Sequence, residues 1–175
     1  MKKYLSGVIA CLALIVLVVP VLAKGPSAPA GSSNKAHLYL FQKDPSKEYS
    51  IVKDGAWGKM TYDQSGDEFN YVFNGHQLVA GTKYTLIYYP DSWPGDGLKC
   101  LGDGTSDDYG NVHIQNSLAM EPLPAEWDDN FKLTPPGAKI WLVNSDDVEC
   151  RTSSKMNGWH PTQYLFEDKL ITFTQ

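Results

Sequence analysis

The 175 residues carry 15 basic and 20 acidic side chains, a formal charge of −5, and three cysteines. An acidic chain with no basic cluster lacks the cationic surface that nucleic acid or anionic lipid requires. Its hydrophobic share of 42% is enough to build the core of one domain of this size.

At the N-terminus, Lys2 and Lys3 are followed by an uncharged, apolar run that closes on Val21-Leu22-Ala23. This is the order of a secretory signal peptide over residues 1–23, with Pro20 ending any helix before the cleavage site. Two other readings use the same residues. About 20 apolar residues also span a bilayer, so an uncleaved leader would anchor the protein in a membrane. Val8-Ile9-Ala10-Cys11 resembles a lipobox, which would lipidate Cys11, although the apolar run continues to Ala23 where a lipoprotein turns polar. Residues 24–35, rich in Gly, Pro, Ser and Ala, offer nothing large to bury and read as a flexible linker. The folded domain is expected over residues 36–175, secreted or held at the cell surface. Without Lys2 and Lys3 the count is 13 basic against 20 acidic, or −7. Cys11 leaves with the leader, so Cys100 and Cys150 are expected to pair in an oxidising exterior.

Along the domain the period is two. Leu38 and Leu40 alternate with Tyr39 and Phe41, Phe69, Tyr71 and Phe73 with Asn70, Val72 and Asn74, and Tyr84, Leu86 and Tyr88 with Thr85, Ile87 and Tyr89. Val112 and Ile114 flank His113, Ile140 and Leu142 flank Trp141, and the chain closes on Leu170-Ile171-Thr172-Phe173. Aromatic and β-branched residues in this pattern predict half-buried strands. Turn clusters such as Asp54-Gly55, Asn74-Gly75, Pro94-Gly95-Asp96-Gly97 and Asn157-Gly158 separate them. Many short strands at close spacing predict an all-β sandwich. Residues 118–136, with four prolines, read as a long loop with one helical turn near Ala125-Glu126-Trp127.

Leu78-Val79-Ala80-Gly81-Thr82-Lys83-Tyr84 resembles the E–F corner of fibronectin type III and related immunoglobulin-like domains. There Leu78 would pin the corner to the core, Gly81 would make the turn, and the Tyr84 hydroxyl would bond back to the backbone. The long stretch after Tyr84 implies extra strands, giving an immunoglobulin-like β-sandwich with additions and one disulfide. A broader resemblance rests on Phe73-Asn74-Gly75-His76, Tyr84-Thr85-Leu86-Ile87-Tyr88-Tyr89-Pro90-Asp91, Trp93-Pro94-Gly95, Gly110-Asn111-Val112-His113-Ile114 and Gly137-Ala138-Lys139-Ile140-Trp141-Leu142-Val143. These segments are similar to a group of uncharacterised secreted proteins, many of them archaeal. The resemblance implies a cell-exterior location and a β-rich domain, and brings no activity or site with it.

No nucleophile elbow, zinc-protease motif or glycine-rich phosphate loop is present. His37, His76, His113 and His160 lack ligand spacing, and the doublets Asp107-Asp108, Asp128-Asp129 and Asp146-Asp147 read as solvated loop charge. A blue-copper loop fails because no histidine lies between Cys150 and Met156, His160 coming after both. Asp103, Asp107, Asp108 and Asn111 could hold calcium as oxygen ligands within one loop. The plainer reading of that stretch is a polar hairpin, with Gly110 left-handed and Asp108 bonding the turn. The aromatics are the stronger signal. Trp57 and Trp141 read as core, while Trp93 and Trp159 sit in turns, where they either cap the sandwich or offer a platform to a sugar ring. Tyr88, Tyr89, Trp93 and Trp159 are the candidate ligand-binding surface. The expected function is a non-enzymatic binding or structural module, with no cofactor other than calcium, contacting a glycan, a surface-layer component or a protein. Self-assembly through a sheet edge is a further mode. The rival is a secreted hydrolase, which must bring His76, His113 or His160 to a carboxylate inside a concave site.

Overall fold

The structure is a computed structural model that describes residues 33–119, 121–124, 133, 136–151 and 154–175. The signal peptide, the lipobox, most of the linker, and the helical turn with Trp127 and Asp128-Asp129 lie outside the described residues. Ser33–Gln175 form one compact unit. Asn34 already bonds Ser65, and Lys35 forms an ion pair with Asp63 at 2.8 Å.

Two antiparallel sheets carry the fold. The larger joins β1 (Lys35–Phe41), β4 (Trp57–Asp63), β5 (Phe69–His76), β8 (Val112–Leu118) and β12 (Phe166–Glu167) in the order β12-β1-β4-β5-β8. The smaller joins β6 (Lys83–Tyr89), β7 (Lys99–Thr105) and β9 (Lys139–Asn144) in the order β7-β6-β9. Two-residue strands complete the set. β2 (Lys43–Asp44) pairs with β3 (Ser50–Ile51), and β10 (Val148–Glu149) with β11 (Lys155–Met156).

Alternation turns Leu38, Met60 and Phe73 from the large sheet, and Tyr84, Leu86 and Leu142 from the small one, into a single hydrophobic cluster. The sheets also meet at their margins. On one side β7 passes close to β8 because Gly102 and Gly104 carry no side chain. A Cβ at Gly102 would stand 2.5 Å from the Tyr71 hydroxyl, and one at Gly104 3.0 Å from Val112. These glycines make β7 illegible as a strand in the sequence, yet they are what the close approach requires. On the other side Leu165 exchanges backbone bonds with Leu142 of the small sheet at 2.9 and 3.0 Å, while Phe166 pairs with Phe41 of the large one. The expected last strand over residues 170–173 is a bridging segment instead, with Ile171 and Phe173 buried and Ile171 bonded to Ala138.

The small sheet is buried on both faces, so β6 is buried from Tyr84 to Tyr89 without alternation. Its inner residues join the main core. Its outer residues, Ile87, Tyr89, Trp141 and Val143, form a second cluster with Leu98, Val148, Met156, Tyr164 and Phe166. Two loops make that cover, the first over residues 90–98 and the second described over residues 145–151 and 154–164. Cys100 of β7 and Cys150 stand at disulfide distance with Cα atoms 5.8 Å apart, tying the second loop to the sheet.

The corner before β6 has the geometry its residues call for. Gly81 sits at φ +67°, and the Tyr84 hydroxyl accepts the Val79 N–H at 3.2 Å. Leu78 is buried. Ser106, which the sequence did not single out, fastens the corner. Its buried hydroxyl donates to the Val79 carbonyl at 2.6 Å and accepts the Thr82 N–H at 3.1 Å.

Candidate tryptophan platform

The two loops over the small sheet each bring one tryptophan to the surface. The first leaves β6 at Tyr89, where Asp91 forms an ion pair with the buried Lys139. It then turns at Gly95, whose φ is +81° and whose Cβ would strike the Tyr89 ring at 2.6 Å. The second leaves β9 at Asn144 and returns through β11. The Met156 N–H donates to the Pro94 carbonyl at 2.8 Å, joining the loops. Trp93 and Trp159 thereby meet edge to face, with centroids 5.5 Å apart at 76°. Trp93 is 53% exposed and Trp159 40%.

Beneath them lies a stack of buried rings. Trp141 lies flat on Tyr89 at 4.0 Å and edge-on to Phe166 at 5.2 Å, and Trp159 contacts Trp141 at 6.0 Å and Tyr164 at 5.6 Å. Edge-to-face and offset contacts of this kind are each worth about 0.5–1.5 kcal/mol beyond area burial. Trp159 is therefore held by this base and Trp93 by its edge-to-face contact with Trp159, which restricts the rotamers of the pair.

Polar bonds fix the Trp159 segment from the other side. Asp147, almost fully buried, accepts from His160 Nδ1 at 2.8 Å and from the Tyr164 hydroxyl at 2.6 Å. Its carbonyl accepts the N–H groups of Asn157 and Gly158 at 2.9 and 3.2 Å. The Tyr164 hydroxyl in turn accepts the His160 N–H at 3.0 Å. Gly158 must be a glycine, since a Cβ there would overlap the Asp147 carboxylate. Burial, then the bond to Asp147, pushes the Tyr164 phenol well above the usual tyrosine range. His160 and Asp147 line an open groove of about 540 Å³ together with Lys83, Asn144, Asp146 and Gln163.

Several expected sites fall elsewhere. Tyr88 and Tyr89 are 2% and 3% exposed and face opposite clusters, Tyr88 the core between the two sheets and Tyr89 the cluster under the loop cover. Neither can touch a ligand, and only Trp93 and Trp159 remain of that set. Asp147 is not solvated loop charge, although its neighbour Asp146 is exposed. In the calcium segment, Asp103 pairs with Lys83 at 2.9 Å. Asp107, not Asp108, closes the turn by accepting the N–H groups of Asn111 at 2.8 Å and Tyr109 at 2.9 Å, with Gly110 at φ +76°. The backbone and side-chain amides of Asn111, with the Tyr109 N–H, hold the Asp107 carboxyl below the usual aspartate range. Among the described residues no group of three or more His, Cys, Asp or Glu stands ready for a metal ion. His37, His76 and His113 bond Thr61, Asn111 and Asn74, and among the described residues only His160 meets a carboxylate.

Fold and site together define an all-β antiparallel domain whose two cover loops present a buttressed tryptophan pair. Compared with known proteins, the chain matches no family model, no curated protein and no solved structure.

Proposed function

We infer that this chain is an extracellular or cell-surface binding module, an immunoglobulin-like sandwich with additions, that holds a sugar ring of a glycan against Trp159 and Trp93. The observation that carries the reading is the exposed pair of rings, locked edge to face over buried Trp141, Tyr164 and Phe166. An indole face binds the apolar face of a sugar ring, and a rigid anchor keeps the ordering cost low. The bonded corner at Val79 and Tyr84 and the core shared by two sheets support the sandwich assignment. The cysteine pair and the leader support export.

A glycan array probed with the purified protein, followed by calorimetry on the strongest hit, tests the reading. Replacing Trp159 or Trp93 by Ala should cost about 2 kcal/mol or more, near a thirtyfold loss of affinity. Silence across the array, or unchanged affinity in both variants, removes it.

A secreted hydrolase is the second reading, and the contact between His160 and Asp147 beside a groove favours it. Against it, among the described residues no hydroxyl or thiol of a Ser, Thr or Cys bonds the imidazole. Asp147 is tied to Tyr164 and to the turn that carries Trp159. The pair works as a fastening for the platform.

A further inference from the structure

We propose, on the footing that the tryptophan pair holds a sugar, that the adjoining groove is a second sugar subsite, and that the ligand is a neutral oligosaccharide chain rather than a single sugar. Platform and groove share one loop. His160, which lines the groove, follows Trp159 directly in the chain. Asp147, which also lines it, accepts the Asn157 and Gly158 N–H groups of the turn that carries Trp159. Consecutive Cα atoms stand about 3.8 Å apart, less than the length of one sugar ring, so a chain with one ring on Trp159 reaches the groove with the next.

Three chain segments line the groove, and each is fixed before a ligand arrives. Gly81 and Thr82 are held at the corner, their N–H groups donating to the Ser106 carbonyl and hydroxyl at 3.1 Å each. The segment from Asn144 to Asp147 is pinned to β6 by the bond between the Ser145 and Thr85 hydroxyls at 2.8 Å. His160 and Gln163 belong to one turn, closed by the Gln163 N–H on the His160 carbonyl at 2.9 Å. Asn144 also sets the Gln163 side chain. Its Nδ2 donates to Gln163 Oε1 at 2.8 Å, so the other end of that amide, the donor Nε2, is left for a ligand. Binding therefore orders little that is free.

Chemistry selects the occupant. No large apolar side chain lines the groove, so it suits neither an acyl chain nor the apolar centre of a protein interface. It offers donors and acceptors together: the Asp146 carboxylate accepts, while Gln163 Nε2 and Lys83 Nζ donate. A sugar hydroxyl does both, and matches such a set. Ions are not selected. Lys83 is paired with Asp103 at 2.9 Å, and the Asp147 carboxylate is taken by His160 and the Tyr164 hydroxyl. That leaves Asp146, an exposed acceptor, and no second carboxylate beside it to hold a cation. The groove's volume, about 540 Å³, lies within the range of small-ligand sites, roughly 300–1,000 Å³.

The test is titration of the purified protein, by calorimetry and by NMR for weak binders. The probes are cellohexaose, maltohexaose, mannohexaose and N-acetylchitohexaose, each beside its own monosaccharide. At least one hexasaccharide should bind about tenfold or more tighter than its monosaccharide, equally at low and high salt. Asp146→Ala combined with Gln163→Ala, both at exposed positions, should erase about tenfold of that advantage, since two hydrogen bonds go and one is to a charged group. If that variant melts early, Asp146→Asn, which keeps the shape and removes the charge, should still reduce the advantage measurably. Trp159→Ala should weaken hexasaccharide and monosaccharide together. A hexasaccharide advantage that survives in both groove variants, while Trp159→Ala abolishes binding, overturns the second subsite and leaves the platform standing. A monosaccharide that binds as tightly as its hexasaccharide does the same. No binding of any of the four hexasaccharides overturns it too, as does binding confined to charged chains such as chitosan or oligogalacturonate hexamers.

Discussion

Replacing Tyr164 by Phe deletes one buried hydroxyl and leaves the ring in place. That hydroxyl donates to the Asp147 carboxylate at 2.6 Å and accepts the His160 N–H at 3.0 Å. A bond to a charged group contributes about 1.5–3 kcal/mol and a neutral one about 0.5–1.5, and a buried partner left unmatched costs at the upper end. The expected loss is about 3 kcal/mol. For a domain of this length, with a midpoint shift of roughly 3–4 °C per kcal/mol, the melting temperature should fall by about 10 °C. Calorimetric melting and urea unfolding measure it, and a double-mutant cycle with Asp147→Asn isolates the shared bond. The pH dependence gives a second check. Burial and the bond to Asp147 raise the Tyr164 phenol above its unfolded value. That stability is fully present below about pH 10 and is lost as pH rises further. The gap between wild type and Tyr164→Phe should therefore narrow in alkali. A melting temperature within about 2 °C of wild type at neutral pH, in a folded variant, would refute the claim that Asp147 and Tyr164 fasten the platform.

Gly158→Ala drives a Cβ into the Asp147 carboxylate, so it should lower the melting temperature and weaken the near-ultraviolet dichroism of the ring stack around Trp159. Ser106→Ala removes the bonds to Val79 and Thr82 and should destabilise by about 1–3 kcal/mol in urea titration. Changing Cys100 and Cys150 together to Ser opens a link of sequence separation 50, with an expected loss of roughly 4 kcal/mol in the chain-entropy model. Asp107 titrates below the usual aspartate range because the Asn111 amides and the Tyr109 N–H bond it. Its contribution is present above about pH 4 and lost as pH falls through the depressed value, so melting curves of wild type and Asp107→Ala should converge in acid.

Where one face of a strand meets water, the pattern of residues was enough. β1 and β5 alternate because successive side chains point to opposite sides of the pleat. The corner at Leu78 to Tyr84 was legible for a related reason, since its bond spans only from Val79 to Tyr84. The cysteine pairing followed from two thiols being left once residues 1–23 are read as a leader. β6 misled for the opposite reason. Tyr88 and Tyr89 were both expected at a surface, but Tyr88 turns into the core between the sheets and Tyr89 into the cluster under the cover loops. β7 was hidden by Gly102 and Gly104, whose role is visible only against β8.

The sequence by itself determined an acidic, β-rich body with one local corner, one cysteine pair and several tryptophans in turns. Only the tertiary structure decided that Trp93 and Trp159 touch, that Asp147 is buried beneath them, and that Lys83 and Gln163 line one groove. Those relations join segments tens of residues apart, through contacts that exist only once the sheets have packed. Period and propensity act over a few residues, and so carry no record of them.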